Sequence, residues 1–173
     1  MDFKSKIREI RDFPREGINY KDISTLLLDK VAYNKAVHEL AVQCKHKQAD
    51  LIVCPKTRGL IIGAPLAYIL GTALVVLGNP GQMPGSDRFT WHLAQEFGGE
   101  SLEVNQDTIQ QDLKVLVVDE LLATGGTTAG AIKLIEELGS EVVGTVFLIE
   151  LTGLGGRVKL TDYDTISLVQ YNY

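Results

Sequence analysis

Cysteine is scarce in this sequence. The 173 residues hold two, Cys44 in an expected helix and Cys54 at the end of an expected strand. They form no C-x-x-C pair and no Cys/His cluster with metal-ligand spacing, which excludes a disulfide scaffold and a zinc-type site. Two reduced thiols suit a cytosolic protein. The three histidines, His38, His46 and His92, stand apart from one another. No apolar run approaches the ~18 residues of a membrane span. The opening Met1-Asp2-Phe3-Lys4 puts charges where a secretory signal needs an apolar stretch. An excess of positive charge is lacking too. Seventeen Lys+Arg against 22 Asp+Glu leave a net charge of −5, which disfavours general binding to nucleic acid or an anionic membrane. Any anion must therefore be held at a local site. The expectation is a soluble, cytoplasmic protein with neither nucleic acid nor membrane as a partner.

What is present is an ordinary globular composition, 45% hydrophobic, in a length that suits about one domain. A chain of this size buries roughly 70% of its unfolded surface, enough for one core. Residues 2–11 read as an amphipathic helix, followed by a turn at Phe13-Pro14-Arg15-Glu16-Gly17. Val31, Val37, Leu40, Ala41 and Cys44 fall near helical spacing and predict a helix over 30–46. Leu51-Ile52-Val53-Cys54 reads as a buried strand, 59–70 as a helix and 73–77 as the next strand. Residues 78–100, rich in Gly and Pro, interrupt the rhythm as a long loop of the kind that is usually functional. Lys114-Val115-Leu116-Val117-Val118 is the clearest strand. A helix over 127–138 stops before Gly139, and strands follow at 141–150 and 165–170. Apolar strands alternating with helices predict an α/β fold with a central, mainly parallel sheet flanked by helices.

The chemistry concentrates in Val117-Val118-Asp119-Glu120-Leu121-Leu122-Ala123-Thr124-Gly125-Gly126-Thr127-Thr128. An apolar strand runs into two carboxylates, then a small-residue loop, then a helix. Ligands of open α/β sheets bind beyond the carboxyl ends of the strands, and a helix N-terminus there suits a phosphate. Gly125 and Gly126 would let backbone approach the ligand, and the threonines add hydroxyl donors. Asp119 and Glu120 repel an anion unless they meet hydroxyls or a metal ion, so the segment points to a sugar phosphate with a vicinal diol. T-G-G-T alone is also what a plain helix cap looks like. The strand and acidic pair in front of it make the phosphate reading the stronger.

That segment resembles the phosphoribosyl diphosphate (PRPP) motif of the type I phosphoribosyltransferases, and the resemblance extends over nearly the whole chain. Phe13-Pro14-Arg15-Glu16-Gly17-Ile18-Asn19-Tyr20-Lys21-Asp22-Ile23 is similar to the base-binding segment of the adenine branch. Thr57-Arg58-Gly59 with Gly63-Ala64-Pro65 resembles the pyrophosphate loop and its helix. Glu96-Phe97-Gly98 resembles the end of the flexible catalytic loop, and Glu150-Leu151-Thr152 and Leu168-Val169-Gln170-Tyr171 also match. The resemblance implies the type I fold over 1–173 as one domain, with a small N-terminal hood at about 1–28 and a flexible loop at about 78–104. It implies transfer of ribose 5-phosphate from PRPP to a purine, adenine first, giving AMP and pyrophosphate in purine salvage. It assigns the 5-phosphate to Ala123, Thr124, Gly125, Gly126 and Thr127, and the ribose hydroxyls to Asp119 and Glu120. The pyrophosphate falls to Lys56, Thr57, Arg58 and Gly59. The base falls to Ile18, Asn19, Tyr20 and Lys21 with Leu121 on the other face. Glu96 would assist proton loss from the purine, beside Asp119 as the second catalytic residue. Mg2+ would be carried mainly by PRPP, with no side-chain metal site, and the protein would be a homodimer.

Two departures from the family pattern stand out. Where the family has basic residues after the strand at 73–77, this chain has Gly78-Asn79-Pro80-Gly81-Gln82 and no cation. Lys56 stands where the family has an acidic or small residue, and supplies a positive charge near the same place. In addition, Phe97 replaces a tyrosine, Trp91-His92-Leu93 departs from the usual spacing, and Asp119-Glu120 stands for two aspartates. These departures leave room for a non-catalytic relative that binds a nucleoside monophosphate as a sensor, or for an enzyme of a different base. A dinucleotide-binding oxidoreductase is excluded, because Gly59-Leu60-Ile61-Ile62-Gly63 lacks the G-x-G-x-x-G spacing.

Overall fold

A computed structural model of the chain describes residues 1–79, 81, 88–92, 101–105 and 107–172. Five parallel strands form its centre: β3 (Leu51–Cys54), β4 (Ala73–Val76), β7 (Lys114–Leu122), β8 (Glu141–Leu151) and β9 (Thr165–Tyr171), in the order β4-β3-β7-β8-β9. The inner stretches Leu51–Cys54, Val115–Val118 and Val146–Ile149 are apolar throughout because both faces of the sheet are covered there. Their alternation sorts them cleanly. Ile52, Cys54, Leu116 and Val118 enter the core on one face, with α2 (Lys30–Cys44) and α3 (Leu60–Leu70). Leu51, Val53, Val115 and Val117 enter the core on the other, with α4 (Gly126–Glu137) and β6 (Ser101–Asn105). The parallel α/β expectation is met.

The helices follow their patterns. Helix α2 buries Ala32, Ala36, Val37, Leu40, Ala41 and Cys44 along one stripe, whereas Val31 is exposed. The Asp29 carboxylate caps it, accepting from the amides of Val31 and Ala32. Helix α4 ends at Glu137, and Gly139 follows in the left-handed region, φ +87°.

Three expectations need correction. Residues 2–11 are not a helix. A short 3-10 turn (Lys4–Lys6) leads into β1 (Arg8–Ile10), which pairs antiparallel with β2 (Tyr20–Asp22). Phe3, Ile7 and Ile10 are spaced like a helical stripe, but the ion pairs Arg8–Asp22 and Lys21–Glu9 across the two strands favour the hairpin. Phe3 and Ile7 are still buried in the core, now from a turn. Within the loop expected at 78–104, β5 (Arg88–His92) pairs antiparallel with β6. Buried Leu102 and Val104 hold β6 against the sheet, a local signal masked by the Gly and Pro around it. Finally, β7 runs four residues beyond Val118, so Asp119 and Glu120 belong to the strand.

Helix α3 carries Pro65 in its interior. Proline has no N–H, so the carbonyl of Ile61, four residues earlier, loses its helical donor. The Tyr33 hydroxyl from α2 donates to that carbonyl at 2.6 Å. A partner on another helix thus repairs a defect written into this one. Tyr33→Phe is expected to lower the unfolding free energy by about 1–3 kcal/mol. The loss should shrink markedly in a Pro65→Ala background, where residue 65 regains its amide. Urea titrations of the parent, both single variants and the double variant measure this.

Candidate active site

In the order β4-β3-β7-β8-β9 the chain leaves β3 toward one edge of the sheet and β7 toward the other. The carboxyl ends of β3 and β7 therefore flank a topological switch point, where open α/β sheets bind ligands. A cleft of about 360 Å³ lies there, lined by Pro55, Lys56, Thr57, Arg58, Leu77, Gly78, Asn79, Asp119, Glu120 and Leu121.

After β3 the chain makes a 3-10 turn, Thr57–Gly59, before entering α3. Gly59 allows that turn to press on β7. A Cβ there would stand 2.7 Å from the Val118 carbonyl oxygen and 3.3 Å from Asp119 Oδ1. Arg58 is thereby aimed at β7. Its Nη2 lies 2.6 Å from Glu120 Oε1 and its Nε 2.6 Å from Oε2, a two-pronged pair. The same Nη2 donates to the Tyr20 hydroxyl at 3.1 Å, and the guanidinium carbon lies 5.9 Å from the Tyr20 ring centre. The ring of Phe13 meets Tyr20 edge-on at 5.5 Å. One residue each from the expected pyrophosphate, ribose and base sets is thus joined through a single guanidinium.

The two carboxylates differ. Burial pushes the Asp119 carboxyl up to about 6, and neighbouring Glu120 adds to this; the Glu120 amide, donating to Oδ1 at 2.8 Å, and the cations Lys56 and Arg58 pull the other way. Burial also raises Glu120, against the pull of Arg58. These are two acidic groups in a poorly solvated place, suited to meeting hydroxyl donors or a cation.

Beyond β7, Gly125 sits at the N-terminus of α4 in the left-handed region, φ +74°, with no side chain to cap the helix. The first amides of α4 keep their capacity for an anion. Thr124 is exposed, Thr127 half-buried and Thr128 buried. Gly125 has a different reason from the one its sequence suggests. A Cβ there would stand 2.5 Å from the Gly156 carbonyl oxygen, so the missing side chain faces neighbouring backbone.

Lys21 is turned elsewhere. Its side chain is 3% exposed, paired with Glu9, and its ammonium lies 4.3 Å from the centre of the Tyr171 ring. Successive residues of a strand face opposite ways, so Tyr20 reaches Arg58 and Lys21 cannot follow it. Only the Lys21 backbone stays near the Tyr20 side of the hairpin. Ile18 and Asn19 precede β2, with Ile18 exposed, and Leu121 is exposed at the cleft. Glu96 lies outside the described residues. Three contributors had no signal of their own in the sequence: Leu77 and Asn79 in the cleft wall, and Gly156 behind the loop. Each depends on chain segments distant in sequence.

Comparison with known proteins shows what the chain as a whole is similar to. The phosphoribosyl transferase domain family matches residues 25–171. A protein named adenine phosphoribosyltransferase from Pelotomaculum thermopropionicum is 68% identical over 173 residues, covering 100% of both chains. One from Desulforamulus reducens is 50% identical over 171 residues, covering 98% of each. The crystal structure of adenine phosphoribosyltransferase from Thermoanaerobacter pseudethanolicus superimposes with a TM-score of 0.91 at 42% identity, covering 98% of each chain. The enzyme from Saccharomyces cerevisiae, complexed with D-2,5-dideoxy-2,5-imino-altritol 1,6-bisphosphate and adenine, gives a TM-score of 0.88 at 28% identity, covering 96% of each.

The raised Asp119 carboxyl carries a stability prediction. An unfolded aspartate releases its proton near 3.8, whereas the folded one keeps it to about 6. Across that window the folded state binds the extra proton, so stability falls as pH rises and the full penalty is present above about 6. Asp119→Asn is expected to stabilise the protein at pH 8 by up to about 3 kcal/mol, with the gain vanishing at pH 4. Denaturant melts at the two pH values read the difference.

Proposed function

The chain belongs to the phosphoribosyltransferase family, and we propose that it is an adenine enzyme of that family, transferring ribose 5-phosphate from PRPP to adenine in purine salvage. The observation that carries this reading is one convergence. An uncapped helix N-terminus, an adjacent pair of carboxylates, two cations and an aromatic hood meet where β3 and β7 end.

Arg58 and Glu120 satisfy one another. A diphosphate would give Arg58 an anion and ribose hydroxyls would give Glu120 donors, so the substrate replaces both halves of the pair. Asp119 takes the neighbouring hydroxyl, and the amides at 124–127 take the 5-phosphate. Tyr20, braced by Phe13, offers a face for the purine, with Leu121 opposite. Glu96 is proposed, on the resemblance alone, to help remove the purine proton. Lys56 and Arg58 stabilise the charge that builds on the departing pyrophosphate.

Magnesium is proposed to enter with PRPP. Such an ion takes most of its ligands from substrate oxygens and water. When bound it would neutralise phosphate charge. We also propose a homodimer, which the exposed Leu28, Val31, Val42 and Tyr68 support, and light scattering tests it. A cytoplasmic location rests on two free, buried cysteines. Among the described residues no helix is long and apolar enough to cross a membrane.

The test is pyrophosphate release from PRPP and Mg2+ over a panel of purines, with adenine expected to be fastest. AMP binding without PRPP turnover would favour the nucleotide-sensor reading instead. Asn79 and Gly78 leave one wall of the cleft without a cation, so Lys56 must carry more of the diphosphate charge. Lys56→Ala is expected to raise the KM for PRPP about tenfold to a hundredfold. AMP affinity should stay unchanged in calorimetry, since AMP has no diphosphate.

A further inference from the structure

We propose that Arg157, through Gly156, is a positioning residue for the 5-phosphate loop, so that affinity for the phosphate end of the substrate is set partly by an ion pair outside the cleft. The proposal rests on the phosphoribosyltransfer reading of that loop.

The loop at 123–125 and the segment at 155–157 meet backbone to backbone. A Cβ on Gly125 would stand 2.5 Å from the Gly156 carbonyl oxygen. A Cβ on Gly156 would overlap the Ala123 carbonyl oxygen, and would stand 2.9 Å from Leu122 Cδ1 and 3.0 Å from the Gly125 amide. With no side chain between them, the position of one backbone dictates that of the other. Gly125 and Gly126 have no side chains of their own with which to hold the loop in place.

Arg157 fixes the second backbone. Its Nε donates to Glu150 Oε1 at 2.9 Å and its Nη2 to Oε2 at 2.5 Å. Its Nη1 donates to the Thr165 carbonyl at 2.8 Å, and Nη2 also to Ser167 Oγ at 3.2 Å. Glu150 is buried, its side chain 3% exposed. It also accepts from Ser167 Oγ at 2.5 Å and from Gln170 Nε2 at 3.2 Å. Arg157, with Ser167 and Gln170, holds its carboxyl below the usual range in spite of burial. Glu150 is the register partner of Leu122, the last residue of β7. The guanidinium therefore ties the 156–160 turn to the strand beside the loop, one residue before the loop begins. Leu160, at the end of that turn, and Leu122 are both buried in the same apolar cluster.

This arrangement is more than a general support, because backbone amides bind phosphate by direction. A displacement of about an ångström in such a cradle is worth up to about a hundredfold in rate or affinity. Tyr20, Arg58 and Asp119 lie on other elements and do not take part in the Glu150 network.

The experiment compares Arg157→Lys, which keeps the charge and loses the fork, with Gly156→Ala and the milder Ser167→Ala. Each is measured for melting temperature, for AMP and ribose 5-phosphate affinity by calorimetry, and for KM of both substrates with kcat. The expected result for Arg157→Lys is a rise of about tenfold or more in the AMP dissociation constant and in the KM for PRPP, with KM for adenine and kcat within about twofold. Gly156→Ala should show the same selective loss more strongly. If it does not fold, Arg157→Lys and Ser167→Ala carry the test. Wild-type phosphate affinity in Arg157→Lys overturns the proposal, as do losses that touch every parameter in step with melting temperature. If the wild type releases no pyrophosphate yet binds AMP, the transferase reading fails. The proposal is then read from AMP affinity alone. A wild type that binds neither AMP nor ribose 5-phosphate overturns both.

Discussion

The parallel pairing of β3 with β7 is the constraint on which the site depends. Leu51, Ile52 and Val53 lie opposite Val115, Leu116 and Val117, and every residue in that register is buried. Two segments more than sixty residues apart then end side by side, with the Thr57–Gly59 turn against Asp119 and Glu120. A slip of one residue would carry the slipped strand's side chains to the opposite face and mismatch both core clusters, so the apolar core holds the polar site in place. Neither segment alone could bring a guanidinium to a carboxylate.

Around that junction the electrostatics are strained in a useful direction. A bidentate pair with Glu120 buried costs that carboxylate its hydration while Arg58 stays exposed, and beside it Asp119 sits where ionisation is unfavourable. Such a site gains when a ligand arrives with hydroxyls for the acids and an anion for the arginine. The same groups therefore weaken the empty protein and favour the complex, a common trade between stability and function. Among the described residues that line the cleft the cations are Lys56 and Arg58, and the sequence at 78–82 holds none.

The hood shows how one short hairpin serves two masters. Strand alternation on β2 gives Tyr20 to the cleft and Lys21 to Glu9 and Tyr171 on the far side. Anchoring and contact with Arg58 are thus separated by a single peptide unit. The loop at 123–127 is served in a similar way, with the first amides of α4 uncapped and Gly125 against Gly156.

Much of this was legible in the sequence. The apolar runs at 51–54 and 115–118 and the helical stripe of α2 come from local periodicity, which reflects the physical environment of each face. The position of Gly139 comes from a backbone angle that few residues tolerate. The acidic pair followed by a small-residue loop could be singled out as a candidate because its chemistry is contiguous in the chain. Tertiary structure decided what depends on distant partners. It turned residues 8–10 into a strand through cross-strand ion pairs, and it directed the Lys21 side chain to Glu9 and Tyr171. It gave Arg58 to Glu120, and it made Gly125 a matter of packing against Gly156. Periodicity records which face is buried, and it carries no information about which distant segment will cover that face.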